Sequence, residues 1–117
     1  MSASQAYGGS ATVSTTEYSL PRNATYNSAS PQSASPNFYQ AMIDLANLAA
    51  GDQFRMRVYE AASTGGTQRL MYESYYSGVQ GMPLNATPGL LLVWGWDITL
   101  LRTAGSDRVI TWSIRTP

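Results

Sequence analysis

The sequence contains no cysteine, no histidine and no lysine. Without cysteine no disulfide can form, and without imidazole or thiolate ligands we expect no zinc or copper site. The same gaps remove the usual nucleophilic machinery, because neither a Ser-His nor a Ser-Lys arrangement can be assembled. We therefore expect a protein that is not an enzyme, needs no cofactor and binds no small-molecule ligand.

Charge is also scarce. Only 12% of the residues are charged, with seven arginines against seven acidic residues, and this is about half of the usual share of about 25%. The arginines are spread along the chain and do not form the positive cluster that nucleic acid requires. The longest apolar run, 89–101, is shorter than the ~20 residues of a membrane-spanning helix, and the first five residues lack a secretory signal pattern. We expect neither nucleic acid nor membrane as a partner, and synthesis in the cytoplasm.

The two ends of the chain differ in composition. Residues 1–37 are rich in Ser, Ala, Thr, Asn, Gln and Pro, with too little apolar content to fold alone. Residues 38–117 alternate apolar and polar stretches between Gly and Asp turns. These patterns predict a flexible arm over 1–37, with one strand at about 12–20 that ends before Pro21, and one β-domain over 38–117.

Period-two alternation predicts six or seven strands. It is clearest over 53–61, 68–76 and 108–115, while 90–103 is interpreted as one strand with a bend at Gly95. The mixture of long and short connections favours an all-β antiparallel β-sandwich, jelly-roll-like or Greek key, with an extended N-terminal arm. The side chains predicted to form the core are Phe54, Met56, Val58, Trp96, Ile98, Leu100, Ile110, Trp112 and Ile114.

Two groups of residues admit a functional and a structural interpretation. Trp94 and Trp96 beside Asp97 could form a sugar-stacking platform, but two residues separated by one in a strand share a face, and core packing is the favoured interpretation. Glu60 and Glu73 flank one predicted hairpin and could form the carboxylate pair of a glycosidase. Cross-strand pairing of each glutamate with arginine is the favoured alternative.

Tyrosine and arginine concentrate on the same predicted hairpin. Exposed Tyr and Arg without Lys are typical of a protein–protein interface, although these rings could instead fill a second small core beneath the arm. The candidate interface residues of the hairpin are Arg55, Arg57, Tyr59, Arg69, Tyr75 and Tyr76.

Several short motifs resemble a group of small proteins that tailed bacteriophages encode beside their head genes. The motifs are STTEYSLP at 14–21, IDL at 43–45 with LAAGD at 48–52, and GWDITL at 95–100 followed by AGSDR at 104–108. The resemblance runs from about residue 12 to 115, and the Ser/Pro-rich insertion at 28–36 departs from it. It implies a structural virion protein, a capsid cement or decoration protein located in the capsid.

The resemblance and the composition together lead to a functional expectation. The protein should oligomerise, as a trimer, and bind the major capsid protein. The arm should add a strand to a neighbouring sheet through Thr12, Val13, Ser14, Thr15, Thr16, Glu17, Tyr18 and Leu20. The rival hypotheses are a phage neck, tail or head-completion protein, and a carbohydrate-binding β-sandwich for host attachment, which would need Trp94 and Trp96 to be exposed.

Overall fold

The structure is a computed structural model that describes residues 4–27 and 36–117. Ten strands make up most of it: β1 (Ser4–Val13), β2 (Tyr18–Ser19), β3 (Ala24–Thr25), β4 (Asn37–Asp44), β5 (Gln53–Ala61), β6 (Gln68–Ser77), β7 (Leu84–Ala86), β8 (Leu90–Leu92), β9 (Asp97–Ala104) and β10 (Arg108–Thr116). None of the described residues belongs to a helix, and so none could cross a membrane as one.

The strands form two antiparallel sheets. The first sheet has the order β1-β10-β4-β7, with β8 also pairing with β4, and the second has the order β3-β2-β9-β5-β6. Four strands of each sheet lie in the orders β1-β10-β4-β7 and β2-β9-β5-β6. This is the strand order of a jelly roll, in which the chain crosses repeatedly between two four-stranded sheets. The predicted antiparallel β-sandwich is confirmed.

The N-terminal segment differs from the predicted arm. Residues 4–13 form the edge strand of the first sheet, where Thr12 pairs with Val109, and Tyr18 pairs with Leu100 of the second sheet. The predicted strand over 12–20 is therefore two strands, because the chain turns between them, with the Thr16 amide donating to Ser14 Oγ at 3.2 Å. Both strands pair within their own chain, and β1 is the edge strand of its sheet, so the addition of this segment to a neighbouring sheet stays a prediction.

The run over 90–103 also differs from its prediction, since it is divided between two sheets. Leu90–Leu92 pairs with β4 in the first sheet and Asp97–Ala104 pairs with β5 in the second. Gly95 lies between them with φ 49°, in the left-handed region that glycine adopts readily. The insertion at 28–36 lies outside the described residues, apart from Pro36.

The core fills the space between the sheets. All nine residues predicted for the core are no more than 3% exposed. Trp96 is completely buried, with its ring 4.7 Å from that of Tyr39 and 5.9 Å from that of Tyr7, centroid to centroid. Burial of aromatic rings contributes much of the apolar surface that stabilises a small domain.

Asp52 holds two turns together at one end of the sandwich. Its carboxylate accepts hydrogen bonds from the Ala49 and Ser106 amides at 2.8 and 3.0 Å and from Arg108 Nε at 2.7 Å. Gly105, with φ 85°, packs directly against Asp52, and a Cβ atom added there would lie 2.6 Å from the Asp52 Cα. The close approach explains why this turn contains glycine.

Candidate functional site

The β5–β6 hairpin presents arginine and tyrosine side chains on the outer face of the second sheet. We call this surface the hairpin face and define it by Arg55, Arg57, Tyr59, Glu73 and Tyr75. Arg55 lies opposite Tyr75 and Arg57 lies opposite Glu73 in the register of the two strands. Side chains alternate between the two faces of a strand, so the intervening residues of β5 point into the core.

Arg57 is held by two carboxylates. Its Nε donates to Glu73 Oε2 at 2.6 Å and its Nη1 donates to Glu17 Oε1 at 3.5 Å. The hydrogen bond to Glu73 raises the pKa of Arg57. Hydrogen bonds from the Tyr75 hydroxyl and then from Arg57 lower the pKa of Glu73. Arg57 is thus fixed as a structural ion pair.

Glu17 attaches the connection before β2 to the hairpin face. The Tyr59 hydroxyl donates to Glu17 Oε2 at 2.6 Å, and the Thr99 hydroxyl donates to the same oxygen. Burial, followed by the hydrogen bond to Glu17, raises the pKa of Tyr59, so the phenol keeps its proton and remains a donor. The Tyr26 ring stacks on that of Tyr59 at 4.9 Å and 13°. Side chains of the segment 17–27, which contributes β2 and β3 to this same sheet, therefore cover the half of the hairpin face at Arg57 and Tyr59.

Asp97, the first residue of β9, anchors the segment 17–27 through hydrogen bonds from Ser19 and Arg22. It is completely buried, and its carboxylate accepts from Ser19 Oγ at 2.7 Å, from the Ile98 amide at 2.9 Å and from Arg22 at 2.5 Å. Burial raises the pKa of Asp97, and the hydrogen bonds from Ser19 and Arg22 act in the opposite direction. Both carboxylate oxygens are engaged, as a buried charge requires, and this group acts structurally.

The other half of the hairpin face is open to solvent. The Arg55 guanidinium carbon lies 4.7 Å from the centre of the Tyr75 ring, and Tyr75 is 63% exposed. No carboxylate of the described residues lies within ion-pair distance of Arg55. Leu70 and Met71 lie further along β6, beyond the Arg57–Glu73 pair, where they are 50% and 47% exposed.

Two predicted interface residues lie elsewhere. Tyr76 points into the sandwich and is buried, with its hydroxyl donating to Asn85 Oδ1 at 3.3 Å, because adjacent residues of a strand face opposite sides. Arg69 lies opposite Glu60 beyond a register shift in the hairpin, and it lines a groove of about 410 Å³ at the hairpin tip together with Leu70 and Met71. The six candidate interface residues of the hairpin thus lie in three places: the hairpin face, the interior of the sandwich and the hairpin tip.

Sequence reasoning missed the residues that order the covered half. Glu17 was expected in a contact with a neighbouring chain, and Asp97 was treated as a lone carboxylate. Arg22 and Tyr26 received no role. The hydrogen bonds of these residues to Tyr59, Gln68, Asp97 and Thr99 join positions 42 to 82 residues apart along the chain. Local periodicity therefore carries no signal for them.

The tryptophan pair does not form a platform. Trp96 is buried, whereas Trp94 is 43% exposed, because the bend at Gly95 interrupts the strand that would have put both on one face. The structure therefore corrects the expectation that the two indoles share a face. The geometry that a two-ring sugar platform requires is not present at these residues.

The carboxylates considered for acid catalysis are also engaged separately. Glu60 Oε2 accepts from the Val93 and Trp94 amides at 2.6 and 3.1 Å, while Glu73 pairs with Arg57. Within residues 4–27 and 36–117, no three acidic side chains come together in a group that could hold a metal ion. The hairpin face combines aromatic and guanidinium groups on a fixed strand pair, a composition typical of protein contact surfaces.

Comparisons of the chain with models of protein families, with curated protein sequences and with solved structures give no match.

Proposed function

We propose that this chain is a structural virion protein, a capsid cement protein that binds and stabilises the shell of a tailed-phage head. It would act without catalysis, as a homo-oligomer that contacts the major capsid protein. The motifs that resemble head-gene proteins of tailed phages support this assignment. The jelly-roll strand order agrees with it by analogy, since virus capsid domains use this architecture, as do lectins.

The observation that carries the proposal is the open half of the hairpin face. Tyr75, Leu70 and Met71 are exposed on one hairpin, and the half-buried Arg55 lies against the Tyr75 ring. Tyr, Met and Arg are enriched in the buried centres of protein interfaces, and Lys is depleted there. A surface of this composition favours contact with another protein.

The covered half supports the open half mechanically. Tyr75 donates to Glu73, Glu73 accepts from Arg57, and Arg57 reaches Glu17. This chain of hydrogen bonds fixes the side chains next to the open surface before any partner arrives. Preorganised side chains lose less conformational entropy on binding, which raises affinity for a given contact area. Repetition over a shell would then add avidity.

Copy number in purified particles tests the virion role. Quantitative mass spectrometry against the major capsid protein should give a ratio near one, or one copy per few capsid subunits. About a dozen copies per particle would assign the chain to the neck or tail instead. Absence from the particle would refute a virion role altogether.

Binding to heads that lack the protein tests the surface. The double variant Arg55→Ala/Tyr75→Ala should bind such heads at least tenfold more weakly, because loss of interface arginine and aromatic side chains commonly costs more than ~1 kcal/mol each. Val79→Ala/Met82→Ala is the matched control, since these two exposed side chains lie in the loop between β6 and β7, outside the hairpin face. Equal binding of the double variant and the control, with unchanged urea midpoints, would show that another surface contacts the shell.

A further inference from the structure

The outer face of the first sheet mixes polar side chains with large apolar side chains at its two ends, and its strands carry one positive and one negative charge there, at two opposite levels. We call it the first-sheet face. Phe38 lies beside Leu91 at one end, and Leu84 lies beside Asp44 at the other. Phe38, Leu84 and Leu91 are 50%, 58% and 65% exposed. Phe38 and Leu91 form one exposed apolar pair, of the kind found at interaction sites on soluble proteins, and Leu84 lies six residues of strand away at the other end.

The two charged residues of this face do not meet within one chain. Arg115 lies level with Gln40, and Asp44 lies level with Thr111 on the neighbouring strand. Four residues of strand separate the two levels, about 13 Å at ~3.3 Å per residue. Neither side chain has an ion-pair partner among the residues that the structure describes.

The register makes this face complementary to itself. Met42 pairs with Ser113 midway between the Arg115 level and the Asp44 level. Consider two copies whose first-sheet faces lie against each other, with a two-fold axis between them that is perpendicular to the strands and passes over this midpoint. Such an axis places the Arg115 level of one copy opposite the Asp44 level of the other. Stacked sheets lie about 10 Å apart, a gap that an arginine side chain can largely span, so Arg115 of one copy would approach Asp44 of the other.

The same axis places Leu84 of one copy at the Gln40 level of the other, because Leu84 lies level with Asp44, two residues from Met42. Leu91 lies level with Phe38, two residues further along the strand, so Leu84 of one copy falls about 7 Å from the Leu91 level of the other at ~3.3 Å per residue. Both charged residues, with Met42 and Leu84, line one shallow groove of about 230 Å³ across the face. The face is thus one continuous surface.

From this arrangement we infer that two copies of the chain pair face to face through their first-sheet faces, about a two-fold axis over Met42 and Ser113. The segment 28–35 is a poorer occupant of this face, because its sequence holds no apolar side chain larger than proline. A two-fold interface uses the same patch on both subunits, which is what the register provides. The pairing does not depend on the virion role.

A charge swap tests the inference. We expect Asp44→Arg and Arg115→Asp each to weaken dimerisation at least tenfold in sedimentation equilibrium, because each puts like charges together across the axis. The double variant Asp44→Arg/Arg115→Asp should restore the dimerisation constant to within about threefold of the parent. Rescue requires that the two residues meet between copies, since they are too far apart within one. A parent chain that is monomeric or trimeric, or a double variant without rescue, would overturn the inference.

Cross-linking gives a second test that does not depend on these charges. The chain has no cysteine, so Met42→Cys would place a single thiol next to the axis, and a short bismaleimide should join two copies rapidly. Tyr75→Cys, on the hairpin face, is the matched control and should cross-link only at the rate of random collision. Equal cross-linking rates for the two variants would contradict the face-to-face pairing even if a charge variant failed to fold.

Discussion

Gly105→Ala should destabilise the protein more than Gly51→Ala, although both replace a glycine with positive φ. The two glycines have φ 85° and 88° and lie in adjoining turns. A Cβ atom at Gly51 would meet nothing within 4 Å, whereas one at Gly105 would lie 2.2 Å from Asp52 Oδ1 and 2.9 Å from the Gly51 carbonyl oxygen. The comparison therefore separates backbone strain from close approach.

The expected magnitudes follow from these two contributions. A residue other than glycine in the left-handed region costs about 1–2 kcal/mol, and the lower entropy of the unfolded chain returns about 0.4–1 kcal/mol. Gly51→Ala should thus lower the free energy of unfolding by about 1 kcal/mol or less. Gly105→Ala adds overpacking of about 1–3 kcal/mol, because two of its three contacts are with backbone atoms that cannot rotate away. Its total of about 1–4 kcal/mol is a large share of the roughly 5–15 kcal/mol that stabilises a domain.

Urea unfolding followed by tryptophan fluorescence measures both variants. The midpoint should fall in the order parent, Gly51→Ala, Gly105→Ala, at an unchanged slope, since the slope reports the surface exposed on unfolding. If the two variants unfold within about 0.5 kcal/mol of each other, within the usual scatter of surface substitutions, then the contact between the two turns does not constrain Gly105. That result would refute the prediction of a steric clash at Gly105 and leave the cost of the left-handed backbone conformation as the only cause of destabilisation.

Two further predictions concern Asp52 and the tryptophans. Hydrogen bonds from Arg108 and from two backbone amides hold the pKa of Asp52 well below its usual value. The contribution of Asp52 to the free energy of unfolding is therefore present above pH ~4, and it is lost as the pH falls towards the folded-state pKa. Asp52→Asn should flatten the acid limb of the urea midpoint between pH 5 and pH 2, and an unaltered limb would contradict this cause. Trp96→Ala should cost about 3–5 kcal/mol in urea unfolding because a buried ring is lost, and Trp94→Ala less than about 1 kcal/mol. Equal costs for the two would contradict their different burial.

The parts of the fold that sequence could predict are those with local alternation. Period-two alternation predicts strands β5, β6 and β10. The nine core residues are predicted because they occupy the apolar positions of such patterns. Strand β1 could not be found in this way, because Gly8 and Gly9 interrupt any alternation. Its formation depends on pairing with β10, a hundred residues away. Loop-closing contacts of this range leave no periodic trace in the sequence.

The candidate site divides along the same line. Arg55, Arg57, Tyr59 and Tyr75 share a face because they alternate along one hairpin, and their grouping was predictable. The register shift that separates Arg69 from them was not, since a bulge depends on the partner strand. The role of Glu17 was also beyond prediction, because it bonds to side chains from two different strands of the second sheet.

The two outer faces of the sandwich imply two separate contacts. Side chains of the segment 17–27 cover the half of the hairpin face at Arg57 and Tyr59, fix Arg57 and support the open surface at Arg55 and Tyr75. The first-sheet face carries no such cover among the described residues, and we infer that its two charges pair with those of a second copy. Because the two surfaces lie on opposite sides of the sandwich, loss of one should leave the other intact. A chain with Arg55→Ala/Tyr75→Ala should still dimerise, and one with Arg115→Asp should still bind a shell, with the weaker affinity of a single copy. If one set of variants abolished both activities, the assignment of separate roles to the two faces would be wrong.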